Sequence, residues 1–317
     1  MTKSKRKSKL VLKIVFMSIY ALITGFLLTT GIAVRSVIKD NQHVATRYAK
    51  TVQVADVEYF YREAGDPAQE TILMIHGFLG SSYDFIETIE NLKTDYHVIA
   101  VDLIGFGLSQ KSETFNYSKK NQADYLIDFL DALDIDSVTI IAHSMGGEIS
   151  IHLAHDYPTY VRQMILVGSA GYYDESSSNF NLSLPLFFYD HIFNNYLIQR
   201  SFFHSAYSKP EVNAKLITYA DFDEMFFVNR TITGPVLKKM TTDNDAGTTN
   251  SKLADIQQDT LLIWGELDGI IPLATGQLLL EAIGATAELI VMPQAGHLPF
   301  DTYFDDFIEH VRTFLTP

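Results

Sequence analysis

The sequence predicts an α/β protein with a mostly parallel, eight-stranded sheet. Three observations carry that prediction. Short apolar, β-branched runs alternate with helical patterns along most of the chain. Several of those runs are apolar throughout, as expected of strands covered on both faces. Each is followed by a loop rich in Gly, Ser, Asp or His, the kind of loop that supplies ligand sites at the carboxyl edge of such sheets.

The chain has 317 residues, with 47% hydrophobic and 20% charged side chains and no cysteine. It is long enough for one large domain with an insertion, and its composition is that of a chain with a sizeable core. The absence of cysteine excludes disulfides and thiolate chemistry. The formal charge of −14 is unevenly spread. Residues 1–39 hold eight basic side chains and no acid, leaving 16 basic against 38 acidic residues in the body. A body of that balance repels nucleic acid, and no metal-ligand spacing is present, so neither a metal nor an organic cofactor is expected.

Taken in order, residues 1–39 read as a basic cytoplasmic flank and a signal anchor. Ile14 to Val34 contains no charged residue in 21 positions, about 32 Å as a helix, enough to span a hydrocarbon core of about 30 Å. The flanking lysines place the N-terminus in the cytoplasm and the catalytic body outside. The alternative is secretion after cleavage near Gly31-Ile32-Ala33.

Thr51 to Tyr61 reads as two antiparallel strands. Thr71–Ile75 and His97–Val101 are the first buried strands, and a helix is expected from Tyr117 to Leu133. Val138–Ala142 leads through His143-Ser144-Met145-Gly146-Gly147 into a helix ending near Tyr157, and Gln163–Val167 is the next strand. Alternation stops between residues 172 and 250, where nine of the 21 phenylalanines fall. This stretch reads as a helical cap or lid inserted between the sixth and seventh strands, closing on an exposed linker, Thr241 to Asn250. The body resumes at 251–317 with strand Thr260–Trp264, helix Leu273–Ile283, strand Glu288–Met292 and a last amphipathic helix to Leu315.

Strand, Ser between small residues, then helix is a nucleophile elbow, which lifts Ser144 above the sheet edge and aims backbone amides at a developing oxyanion. Asp268 and His297 each follow another strand, so all three can meet at the carboxyl edge. Ser144 is then the nucleophile, His297 the base and Asp268 its orienting carboxylate, with Glu266 a weaker rival. The oxyanion donors are expected to be the amides of Phe78 and Met145. Pocket candidates are His76, Gly77, Leu79, His143 and Leu298. His76 also reads as a brace for its loop, Asp102 as a turn-fixing residue, and His152 as structural or pocket-lining.

From residue 50 onward the chain resembles the α/β-hydrolase superfamily. The pieces that carry the likeness are His76-Gly77-Phe78-Leu79-Gly80, Asp102 to Ser109, the elbow, Trp264 to Asp268 and Gly296-His297. Ala142 stands where the first elbow glycine is usual. Within that superfamily the layout is similar to bacterial esterases and lipases and to membrane-anchored monoacylglycerol lipases. The resemblance implies a serine hydrolase cleaving short-to-medium-chain esters or monoacylglycerols through an acyl-enzyme. The alternatives are a carbon–carbon bond hydrolase of ring-fission products using the same three residues, and a non-catalytic receptor or interaction domain. The partners implied are a small acyl ester or lipid and, through the N-terminal helix, a membrane.

Overall fold

A computed structural model describes residues 15–21, 24–25, 35–173, 185–189, 195–243 and 245–316. One sheet holds eight strands: β1 (Ala49–Val54), β2 (Val57–Ala64), β3 (Thr71–Ile75), β4 (His97–Val101), β5 (Val138–His143), β6 (Val161–Val167), β7 (Asp259–Gly265) and β8 (Ala287–Met292). Their spatial order is β1-β2-β4-β3-β5-β6-β7-β8. β2 is antiparallel to both β1 and β4, and every later pairing is parallel. The first hairpin is longer than expected, because the ladder from Ala49–Arg62 to Val54–Val57 uses polar residues that face solvent and break the apolar pattern.

The continuous apolar runs divide by alternation once folded. In β3, Leu73 and Ile75 face one core and Ile72 and Met74 the other. Helices α1 (Ile86–Leu92), α2 (Lys119–Ala132), α3 (Met145–Asp156), α4 (Tyr196–Ser205), α5 (Lys209–Ala214), α6 (Tyr219–Asn229), α7 (Gly234–Thr242), α8 (Leu273–Ile283) and α9 (Phe304–Leu315) complete the framework. Leu126, Ile149 and Leu279 place α2, α3 and α8 on the first core, while Ile89 and Phe307 place α1 and α9 on the second. α1 has no counterpart in the sequence pattern, because a segment two turns long is too short for a periodic pattern to stand out.

Between β6 and β7 the regular elements among the described residues are helices, α4 to α7 among them. Phe222, Phe226 and Phe227 of α6 form a third cluster with Tyr196 and with Val37 and Val44 from the segment preceding the sheet. That segment is also held by the buried Arg62 guanidinium, which donates to the carbonyls of Val44 and Arg47, and by His43 beside Glu224 at 3.1 Å.

The expected exposed linker at 241–250 is not one. Asp245 accepts from the amides of Lys119 and Lys120 at 3.0 and 2.8 Å, and Asp243 from that of Tyr117 at 3.0 Å. Thr249 is buried, its hydroxyl donating to Gly171 O. Two aspartates that look like solvated turn residues thus hold the entry to α2: Asp245 satisfies two of its orphan donors, and Asp243 fixes the residue before its N-cap, Ser118.

No helix among the described residues is long and apolar enough to cross a membrane. Most of the apolar run 14–34 lies outside those residues; Val15 to Ala21 is helical, with Phe16, Met17 and Tyr20 strongly exposed.

Candidate active site

Ser144 stands at the end of β5 with φ +52° and ψ −117°, a strained conformation for a residue with a Cβ. The turn is clamped from both sides: Ser144 N donates to Val167 O, while its carbonyl accepts from Gly147 N and Ala170 N, all at 3.0 Å. Its tightness explains the glycine at 146, where a Cβ would lie 2.4 Å from Ile75 O. The Ser144 side chain makes no hydrogen bond among the described residues and opens on a cavity of about 560 Å³.

His297 and Asp268 meet beside it. His297 Nδ1 lies 2.7 Å from Asp268 Oδ2, both side chains are buried, and His297 lines the same cavity as Ser144. The other oxygen of Asp268 accepts from the amides of Ile270 and Ile271 at 2.8 and 2.9 Å. Both Asp268 oxygens are thus held as acceptors, and Nδ1 of His297 is the donor between them. Glu266 turns away; its carboxylate is exposed and accepts from Gln294 N, bracing the loop that carries His297.

The amides of Phe78 and Met145 have no acceptor among the described residues, and Met145 N is the first of α3. Unpaired donors at a helix N-terminus are suited to a developing oxyanion. Of the pocket candidates, Gly77, Leu79, His143 and Leu298 line the cavity. His76 does not. It is fully buried, Leu103 N donates to its Nε2 at 3.0 Å, and its Nδ1 faces Gly77 O at 2.7 Å, so Nδ1 carries the proton. Burial holds the ring below its usual pKa. It ties the Gly77–Phe78 turn to the end of β4.

His143 is neutral for a related reason: burial, then the neighbouring His297 ring, push it well below the usual range, and its Nε2 donates to His297 O at 3.0 Å. Asp102 accepts from the amides of Ser82 and Leu108, both at 2.6 Å, joining two loops at the sheet edge. His152 is buried away from the cavity, and burial lowers it to about 4.

The structure adds residues that no motif announced. Gly168 ends β6 with φ +49°, and a Cβ there would lie 3.1 Å from His297 Nδ1 and 3.2 Å from Asp268 Oδ2. A glycine directly after a buried strand is the only trace it leaves in the sequence. Gly168→Ala is expected to displace the His–Asp pair and lower kcat on an ester about tenfold with KM little changed; an unchanged kcat in the folded variant would show that the pair tolerates the methyl. From the cap, Ala206 O accepts from His297 N at 2.7 Å and Ser208 Oγ donates to Gln294 O at 2.6 Å, so the helical insertion pins the His297 loop.

The cavity also faces several acids, Asp84 among them. Burial pushes Asp84 up to about 7, with Asp102 and Asp301 adding to the rise. Its value in the unfolded chain is about 4. The folded form therefore holds this proton more tightly, and stability falls as pH rises from about 4 through about 7. Asp84→Asn removes that titration and should gain about 2–3 kcal/mol on the parent between pH 5 and pH 8. Urea unfolding at both pH values measures it, and an equal gap at the two would contradict the assignment.

Comparisons with known proteins agree with this architecture. A family profile described as "alpha/beta hydrolase fold" matches residues 70–303. The chain is 31% identical over 261 residues to Lipase 1 of Psychrobacter immobilis, covering 80% of this chain and 79% of that protein. It is 26% identical over 268 residues to the 2-hydroxy-6-oxo-2,4-heptadienoate hydrolase of Pseudomonas putida, covering 80% and 90%. Among solved structures, a membrane phospholipase A described as a bacterial virulence factor superposes with a TM-score of 0.72 at 20% identity, covering 98% of each chain. The sheet order, the strained serine turn and the profile match together establish that the chain belongs to the α/β-hydrolase family and has its fold.

Proposed function

We propose that the protein is a serine hydrolase of carboxylesterase or lipase type, acting on short-to-medium-chain esters or monoacylglycerols. The observation that carries this reading is the buried His297–Asp268 pair at 2.7 Å, open on the same largely apolar cavity as the strained Ser144. His297 Nε2 takes the proton of Ser144 Oγ as it attacks the ester carbonyl, and Asp268 steadies the imidazolium. The amides of Phe78 and Met145 hold the oxyanion. The C–O bond then breaks, the leaving alkoxide takes the proton from His297, and an acyl-serine remains. Water enters, gives its proton to His297 and attacks the acyl carbon; Ser144 Oγ leaves and recovers that proton, releasing the acid.

The lipase relative supports an acyl ester as substrate. The test is hydrolysis of p-nitrophenyl esters from acetate to palmitate by the detergent-solubilised full chain. Turnover with a chain-length optimum supports the reading and sizes the acyl site. A folded protein that labels with a fluorophosphonate at Ser144 yet turns over no ester would overturn it in favour of carbon–carbon bond hydrolysis.

The N-terminal segment completes the proposal. Residues 14–34 anchor the chain in a membrane with the basic flank cytoplasmic, a reading supported by the 21 uncharged positions. Carbonate extraction of membranes tests it: retention in the pellet is expected, and release to the supernatant would favour cleavage.

A further inference from the structure

Ser144 borders two cavities. The larger is the one lined by His297. The smaller, about 180 Å³, is lined by Phe78, Ser144 and Met145 together with Gln122, Glu148 and Tyr173, and His297 does not reach it. Gln122 and Glu148 are 2% and 1% exposed. Gln122 Nε2 donates to Ile104 O at 2.9 Å, which fixes the amide orientation and leaves Oε1 as an acceptor with no partner among the described residues. Glu148 Oε2 accepts from the Tyr173 hydroxyl at 2.9 Å, while its Oε1 has no such partner. Two buried acceptors in one cavity, without partners among the described residues, call for a donor.

Which part of a substrate can lie there follows from the proton path. A leaving alkoxide takes its proton from His297 and the second-step water gives one up to it, so both must occupy the cavity that His297 lines. A group in the smaller cavity is then a substituent on the acyl carbon. We propose that this cavity is an acyl-side subsite for a short acyl chain carrying a hydroxyl, with Glu148 and Gln122 accepting its hydrogen bonds. The proposal rests on the serine-hydrolase reading and narrows it. Phe78, Met145, Ile149 and Met240 line the same cavity, leaving room for a few methylenes beside the polar atoms. Lys119 also lines this cavity and its charge offsets part of that on Glu148, so a neutral hydroxyl suits the site better than an anionic group.

The test compares ethyl 3-hydroxybutyrate with ethyl butyrate, which share a leaving alcohol, in a pH-stat with the detergent-solubilised full chain. The expected kcat/KM ratio is roughly tenfold in favour of the hydroxy ester, about what a hydrogen bond to a buried acceptor confers. In Gln122→Met and Glu148→Gln the ratio, in which any general loss of activity cancels, is expected to fall to about twofold or less. A parent ratio near one, or an unchanged ratio in both variants, would overturn the subsite while leaving the hydrolase intact. Neither ester turned over, with no fluorophosphonate label on Ser144, would overturn the hydrolase reading and the subsite with it.

Discussion

Ser144→Ala is expected to lower ester turnover by roughly 100,000-fold, the largest effect of any single substitution. Alanine keeps the Cβ and so meets the same backbone strain at φ +52° as serine does. The three hydrogen bonds that clamp the turn are all main-chain and survive the change. Folding should therefore be preserved, with the same thermal midpoint, while the attacking oxygen is lost. The free amides of Phe78 and Met145 remain, and a small residual rate from them is expected. Steady-state hydrolysis of the preferred p-nitrophenyl ester measures the loss. Retention of more than a few per cent of parental turnover would remove Ser144 from the mechanism.

Asp268→Asn comes next, with an expected fall in kcat of about 10,000-fold at neutral pH. The reason lies in how the two oxygens are used. The amides of Ile270 and Ile271 both need an acceptor, so the asparagine carbonyl turns toward them. Its NH2 group then faces His297 Nδ1, where a carboxylate oxygen now sits at 2.7 Å. The imidazole must accept there and carry its proton on Nε2, the nitrogen that should take the proton from Ser144. Turnover and nitrogen-resolved NMR of the His297 ring would check this together: low activity with Nδ1 protonated would contradict the tautomer argument.

Much of the fold was legible because a parallel sheet writes itself locally. β3, β4, β5, β6 and β7 are apolar runs closed by turn residues, and each was placed to within two residues of its observed ends. The elbow was legible for a steric reason: a Cβ at position 146 would collide with Ile75 O, so the turn restricts which residues can stand there. Between β6 and β7 the lack of strand-like runs predicts helix, and the described residues there hold α4 to α7. The contribution of this stretch to the site was not legible, because a phenylalanine that builds the cap's own core, such as Phe222, and one that lines the cavity, such as Phe202, look alike in a sequence.

By itself the sequence determined the strand order along the chain, the strained serine turn and the loops that could carry a base and a carboxylate. Those features depend on neighbours in the chain, where side-chain size and polarity act directly. The tertiary structure decided what depends on distance across it. It set Asp268 rather than Glu266 against His297, because only the former has its side chain buried at the carboxyl edge. It chose the bracing role for His76 over a place in the cavity, because the Leu103 amide is brought to its ring from 27 residues away. Asp243 and Asp245 are likewise brought from more than 120 residues away, the one to the Tyr117 amide and the other to the first amide of α2. A polar side chain satisfies whichever partner the fold delivers, and only packing in three dimensions chooses that partner.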